Sequence, residues 1–425
     1  MTKVNIIFAL FNLIPAILVI CSTQSPFYPP PSYNRQSSEV WEALGLVEAS
    51  LSNLLRNSNN LNTSSYSIEI TPSRSTLWST FHTAKDKNLT RPGADRVDET
   101  SRYRIASITK VFTVLGILQQ HAAGNLSLED MVDKYIPQLR SSHHDGTRSS
   151  GSIQWDKISL RSLVSQLSGL PRDWVQGDFL TDPDLNPRSP GDGSSFVKPP
   201  DSVSVLPKGI AWYSDVNEAV ENPTGGLYSS THDMSILLRY ILSNYKDIAD
   251  AKLNWLLPVS FTAGMGSYYG MPWEIFRADR ILLPDDKRRA RTVTFFTKDG
   301  GVPRYRSIIL IVPEYDLGIT VLTAGDETLL EVIVDMVIVP LIRAADALAA
   351  RQVKETYMGR YTSSPTKEQT VNSTLTLTYT STHGLEINEW ISKFHRCARL
   401  HIQALSVPRN HKVSRSVDPL WSLQR

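Results

Sequence analysis

YRIASITKVFTVLGILQ, residues 103–119, is the stretch on which the reading of this chain turns. The apolar run Val111 to Leu118 predicts a helix, with Ser107 and Lys110 at its entry, three positions apart. Residues at that spacing share one helix face, so the Lys110 nitrogen is expected beside the Ser107 hydroxyl. A serine hydroxyl is inert near neutral pH, and a lysine that loses its proton on desolvation is one of the few side chains able to activate it. The free N–H groups and positive dipole end of the helix favour an anion formed at the same place. Average composition produces about one or two S-x-x-K tetrads by accident in a chain this long. The flanking sequence therefore decides.

Working outward, Tyr66 to Thr71 and Ser75 to Thr83 give a paired strand signal, and Tyr103 to Ala106 delivers the chain straight into the tetrad. Val40 to Arg56 carries an apolar stripe at helical spacing, and Ser127 to Asp130 opens a short amphipathic segment. Ile158 to Pro171 reads as a helix stopped by Gly169 and Pro171. Ser229 to Asp233 supplies capping hydroxyls and an acid for a helix through Tyr240. Thr292 to Thr297, Ile308 to Val312 and Leu317 to Thr323 read as strands. A long apolar helix from Thr328 to Val339 is punctuated by Pro340 and resumes to Ala350. Strands come from both ends and helices from the middle, which predicts an α+β fold: an antiparallel β-sheet flanked by helices, with a helical subdomain inserted. The Pro/Gly/Ser-rich span Asp182 to Pro207 is the chief linker.

Five collinear blocks resemble the serine β-lactamase and penicillin-binding-protein superfamily, specifically the class C-like branch of fungal secreted β-lactamase-related proteins. They are residues 103–119, LVSQLSGLPRDW (163–174), NPTGGLYSSTHDM (222–234), YGMPWEIFR (269–277) and FFTKDGGVPRY (295–305). The likeness runs from about Trp41 to about Trp390 and implies a β-lactamase/transpeptidase-like fold. In that family the first block carries the nucleophilic serine and its lysine, which fall here on Ser107 and Lys110. Lys298-Asp299-Gly300, followed by Gly301, resembles the family's K-T-G-like triplet. The resemblance implies that the backbone N–H groups of Ser107 and Gly301 form an oxyanion hole and that Lys298 attracts a substrate carboxylate. On the residues alone the segment also reads as a charged hairpin turn, since Asp-Gly-Gly is a favoured turn sequence. Arg304 stands where family members keep a small glycine, and a bulky cation there would narrow or recharge the mouth of the site.

The family's remaining element is Y-x-N, whose tyrosine serves as or relays the general base. The candidate is Tyr213-Ser214-Asp215, with aspartate in place of asparagine, leading almost directly into the block at 222–234. A piece on the order of half a typical domain is therefore expected to be missing between about Pro187 and Pro199. Two readings of Tyr213 stand open. If it reaches Lys110, Asp215 would tend to hold that lysine protonated. If it is a loop residue, Ser107 and Lys110 act alone, and activity would collapse by orders of magnitude.

The chain has 425 residues, 41% of them hydrophobic and 20% charged, enough for one large core or two smaller ones. The formal charge of +2 hides an asymmetry: Lys393 to Arg425 carries seven basic residues and one acidic, and the remainder is net negative. The body thus offers no electrostatic reason to bind nucleic acid. The tail from 393 shows no periodic pattern and is expected to be irregular. Before it, residues 351–392 resemble part of the small C-terminal β module of the fungal branch, the main domain being placed at 40–350. At the other end, the apolar run Ile6 to Ile20 is too short for a stable bilayer span and fits a signal peptide over residues 1–22, so a secreted protein is expected. Sequons at Asn62, Asn88, Asn125 and Asn372 are suited to glycosylation.

No bridge is assigned between the two cysteines, Cys21 and Cys397. His143-His144-Asp145 lacks a third ligand site at recognisable spacing and reads as a solvated loop, so neither metal nor cofactor is expected. The leading expectation is an acyl enzyme acting through Ser107 on a small-molecule ester or amide, by hydrolysis or transesterification. By resemblance, a place in fungal secondary metabolism is possible. The second expectation is an impaired or inactive remnant lacking the tyrosine motif. Oligomeric state is left open.

Overall fold

Seven residues from Ser65 to Thr71, all buried, form strand β1, which pairs antiparallel with β2 (Trp78–His82) on one side and β10 (Leu317–Ala324) on the other. Both faces of β1 and β10 are covered, so these strands carry near-continuous apolar and β-branched residues in place of a simple alternation. The computed structural model describes residues 28–34, 37–57, 59–139, 153–170, 198–209, 222–248, 253–262, 264, 266–279, 281–282, 292–362, 373–380, 384–392 and 395–401. Within them the chain forms two compact units, one of residues 41–342 and one of residues 1–40 with 343–425.

The larger unit is built on an eight-stranded sheet in the order β2-β1-β10-β9-β8-β7-β6-β5. Its other strands are β5 (Ser260–Phe261), β6 (Ser267–Tyr269), β7 (Glu274–Ala278), β8 (Val293–Val302) and β9 (Tyr305–Val312), every pairing antiparallel. A two-stranded ribbon joins β3 (Tyr103–Arg104) to β4 (Tyr228–Ser229). Helix α1 spans Ser38–Asn57, α2 Thr109–Ala122, α3 Thr231–Asn244 and α4 Leu329–Tyr357. The main core joins Ile105, Ile108, Val111, Val114 and Leu118 around α2 to Met234, Leu238 and Ile241 of α3. Phe296, Ile309 and Ile311 enter the same cluster, so one face of β8 and β9 looks toward the residues around Ser107. This is the antiparallel α+β architecture that the order of elements predicts.

One alternative is decided and two local expectations need correction. The triplet Lys298-Asp299-Gly300 with Gly301 is not a turn: β8 runs through it, and the hairpin lies beyond, at Pro303-Arg304. The helix expected from Ile158 shrinks to Leu160–Val164, because Ser162 and Ser165 hydroxyls bond back to the carbonyls of Ser159 and Arg161 and Gln166 turns to a positive φ. The long C-terminal helix passes through Pro340 without a break.

In the smaller unit, β11 (Gly359–Thr362), β12 (Thr374–Thr380), β13 (Gly384–Ser392) and β14 (His395–His401) form a four-stranded antiparallel sheet. The tail expected to be irregular from 393 thus begins with a strand. Tyr28 and Tyr379 join their hydroxyls at 2.8 Å, and Tyr28 packs with Ala349 and Val353. The signal segment, His143 to Asp145, most of the proposed gap and residues 402–425 lie outside the described residues.

Candidate active site

Ser107 lies in a single tight helical turn, Ala106–Ile108, that runs into α2. Ala106 takes φ of 46°, a left-handed conformation that costs a non-glycine residue about 1–3 kcal/mol and lifts the following residue out of the helical path. The surroundings hold the turn in place. Ile105 donates its N–H to the Leu227 carbonyl at 3.1 Å, and its own carbonyl accepts from Ser307 Oγ at 2.8 Å. Ser107 and Lys110 are each half-buried, whereas Ile105, Ala106, Ile108 and Thr109 are buried, so the two polar side chains emerge from an otherwise closed element.

Lys110 Nζ lies 2.9 Å from Ser107 Oγ, donating to it, and 3.2 Å from the Thr224 carbonyl oxygen. The i, i+3 spacing does bring the amine to the hydroxyl. Thr224 belongs to the short helical turn Asn222–Gly225, which is fastened to α2 by Thr113 Oγ1 donating to the Pro223 carbonyl at 2.5 Å. Leu227, just beyond that turn, donates its N–H to Thr109 Oγ1 at 3.2 Å. Tyr213 and Asp215 lie outside the described residues.

Strand β8 forms the opposite wall, and Gly300 is its point of closest approach. A Cβ there would lie 2.2 Å from the Ile105 carbonyl oxygen, 2.7 Å from Ser307 Oγ and 2.9 Å from the Ser107 nitrogen, so only glycine fits. The neighbouring β7 starts at Glu274, opposite Thr297, and beyond that pair no described strand covers this side of β8. Asp299 N–H points to the uncovered side, where it donates to Glu274 Oε2 at 3.2 Å. N–H groups on a strand alternate sides with a period of two residues, so Gly301 N–H points the same way, along the edge that no described strand covers.

Lys298, which the resemblance casts as attracting a substrate carboxylate, is buried among acceptors of the protein itself. Its side chain is 3% exposed and forms an ion pair with Glu274 Oε1, with Asp299 Oδ1 at 3.3 Å and the Asp299 carbonyl at 3.0 Å. Burial pushes the Glu274 carboxyl above its ordinary value, against the downward pull of the Lys298 charge. Reading by motif missed Glu274. The signal lay in the proline at 272, which has no N–H to extend the β7 ladder and so leaves the edge of β8 for a side chain to fill.

Arg304 is turned away from a role in the site mouth. It takes φ of 67°, a left-handed conformation that glycine adopts most readily; its backbone N–H donates to Glu327 Oε1 and its guanidinium to the Gly325 carbonyl in a neighbouring turn. Asn62 and Asn125 are exposed and Asn88 is half-buried; Asn372 lies outside the described residues. Among the described residues no group of three or more His, Cys, Asp or Glu is placed to hold a metal ion, and no helix is long and apolar enough to cross a membrane.

A family model described as beta-lactamase matches residues 73–198 and 186–336. Two fungal relatives align along most of the chain. The "Probable hydrolase M10" of Phoma sp. is 29% identical over 459 positions, taking in 88% of this chain and 72% of its own length. The "Probable hydrolase clz13" of Cochliobolus lunatus is 28% identical over 475 positions, taking in 88% and 73%. A solved β-lactamase from Sulfitobacter sp. EE-36 superposes with a TM-score of 0.48 at 15% identity, over 74% of this chain and 98% of its own. Both fungal alignments run over more positions than the 425 residues available, so those relatives carry residues that this chain lacks. The family model spans well over half of the sequence and takes in the Ser107 turn, the Asn222–Gly225 turn and the β8 wall alike; the chain belongs to the β-lactamase family.

Proposed function

We propose that the protein is a serine acyl hydrolase or transesterase acting on a small-molecule ester or amide. The observation that carries this reading is the 2.9 Å contact of Lys110 Nζ with Ser107 Oγ in a turn whose backbone nitrogen abuts Gly300. As a neutral amine, Lys110 keeps one N–H on the Thr224 carbonyl and offers its lone pair to the serine hydroxyl. The serine oxygen bonds to the carbonyl carbon as its proton passes to Lys110. The oxyanion is held by the N–H groups of Ser107 and Gly301, and the leaving group departs with the proton from Lys110. Water or an alcohol then takes the acyl group by the same steps in reverse. Tyr213 is the candidate to relay protons if it reaches Lys110.

A fluorescent fluorophosphonate tests the assignment: it is expected to label Ser107, and Lys110→Met is expected to slow labelling by about 100-fold or more. Equal labelling of Ser107→Ala would remove the serine from the mechanism.

A second reading, an impaired family member, is supported by the surplus positions in the fungal alignments and by the imperfect Tyr213-Ser214-Asp215 motif. Ester hydrolysis well above a Ser107→Ala control would defeat it.

The setting proposed for the protein is extracellular, with a signal peptide over residues 1–22 and glycans on the sequons. The exposure of Asn62 and Asn125 supports the latter. Protein from a eukaryotic secretion host should appear in the medium and lose mass on treatment with an amidase that removes N-linked glycans; no mass change would dismiss the glycans.

A further inference from the structure

We infer that the ion pair of Lys298 with Glu274 takes the place of a missing peptide partner for Asp299, which shortens the open edge of β8 to Gly301 and makes the site select acyl donors that present a single carbonyl group to that edge over extended peptides. This rests on the serine reading above and narrows its substrate class.

In an antiparallel sheet the N–H and C=O of one residue point to the same side of the strand, and alternate residues share that side. Thr297 pairs with Glu274 of β7, so the next residue of β8 to face that side is Asp299, and continuing the register sets it opposite Pro272. Pro272 cannot fill that place. It has no N–H to give, its carbonyl accepts from Gln166 Nε2 at 3.2 Å, and the chain before it folds back, Gly270 N–H donating to the Trp273 carbonyl at 2.6 Å. Two side chains supply what the proline lacks: Glu274 Oε2 accepts from the Asp299 N–H at 3.2 Å, and Lys298 Nζ donates to the Asp299 carbonyl at 3.0 Å. A carboxylate thus stands where a peptide carbonyl would, and an ammonium where a peptide N–H would.

These bonds are charge-assisted and stronger than the neutral ones a peptide strand offers in exchange. The Lys298 side chain is 3% exposed and is held by Glu274 Oε1 as well, so a ligand that displaced Glu274 would strip a buried ammonium of that counter-charge. At the other end β8 stops at Val302, which pairs with Tyr305 across the hairpin, and Pro303 again has no N–H to donate. Gly301 therefore lies between a residue whose two edge groups are already taken and one without a donor. The carbonyl oxygen of an acyl donor is served by the Gly301 N–H, and lengthening that donor into a peptide adds no ladder bond at Asp299.

The test uses the full chain and two reversible phosphonate isosteres of alanine peptides, a short one with one residue on each side of the phosphonate and a long one with three, titrated calorimetrically. The wild type is expected to bind the long isostere less than about threefold more tightly than the short one. Glu274→Ala frees the Asp299 N–H and should shift the affinity ratio toward the long isostere by about fivefold, the yield of one hydrogen bond. The double variant Glu274→Ala with Lys298→Met frees both groups and should shift it by about twentyfold. Because it removes both charges together, the double variant also guards against the single one failing to fold, which circular dichroism reports. A wild type that favours the long isostere by about threefold or more, or that binds neither, overturns the inference, as does a ratio within about twofold of the wild type's in every folded variant. Fluorophosphonate labelling is followed on the same wild-type sample: if Ser107 is labelled, those results leave the serine reading intact, and if it is not, that reading falls together with the inference.

Discussion

At the scale of single residues, the site depends on a missing methyl group. Gly300→Ala would push a carbon into the Ile105 carbonyl and the Ser107 nitrogen, both backbone atoms that cannot swing aside. Overpacking of this kind costs about 1–3 kcal/mol, and relief by backbone shift would displace Ser107 from Gly301. The variant is expected to melt at lower temperature and to label with a fluorophosphonate at least about tenfold more slowly; labelling at the wild-type rate would show that the wall does not position the serine. Ser107 and Lys110 were legible because a helix imposes a fixed relation between positions three apart. Glu274 was not, since a lone acid at the start of a strand looks like any solvated residue until the partner strand brings Lys298 beside it.

Elements were legible where their pattern was long and illegible where side chains compete with the backbone. Helix α3 begins where the capping hydroxyls predicted: Ser230 Oγ accepts from Asp233 N–H at 3.2 Å. Ser230→Ala should therefore cost about 1 kcal/mol, read as a lower denaturation midpoint with an unchanged slope; an unchanged midpoint would mean that α3 is held by packing alone. The serine-rich stretch 158–168 misled for the reason that makes Ser230 useful, because hydroxyls within bonding reach of backbone groups favour ends of helices over their middles. Pro340 misled in the other direction. Its missing N–H and ring should break a helix, yet Ile333, Val337 and Leu341 are all buried on the same element, and that burial outweighs one lost hydrogen bond of about 1 kcal/mol. In the Lys298 segment, the turn propensity of Asp-Gly-Gly yields to a ladder formed with residues 306–309 of β9.

For the whole molecule, the least legible feature is how the chain is stitched together after the composition-defined linker. Its last residues read as loop by their prolines and serines, but they are sewn into the body: Ala94 N–H donates to Ser204 O, Arg102 N–H to Val203 O, and Tyr305 hydroxyl to Val205 O, each at 2.8 Å. Arg91 adds a two-pronged ion pair to Asp201, both contacts at 2.9 Å, at the point where the described chain resumes. The Arg91 guanidinium draws the Asp201 carboxyl down from 3.8 to about 2. A carboxyl whose folded value is depressed stabilises the fold above its unfolded value and loses that contribution as pH falls through the folded one. The pair is partly solvated, Asp201 being 39% exposed, so its contribution is held below about 1 kcal/mol by screening. Glu39 and Asp98 are lowered as well and slope the same way, whereas buried Glu274, raised by desolvation, slopes oppositely. Asp201→Asn is accordingly expected to melt about 1–3 °C below the wild type at pH 6, with the difference narrowing from about pH 4 and gone near pH 2. Thermal melts of both proteins across that range decide the matter: a difference that persists at pH 2 would mean that Asp201 holds the junction by shape or neutral hydrogen bonding, not by its charge.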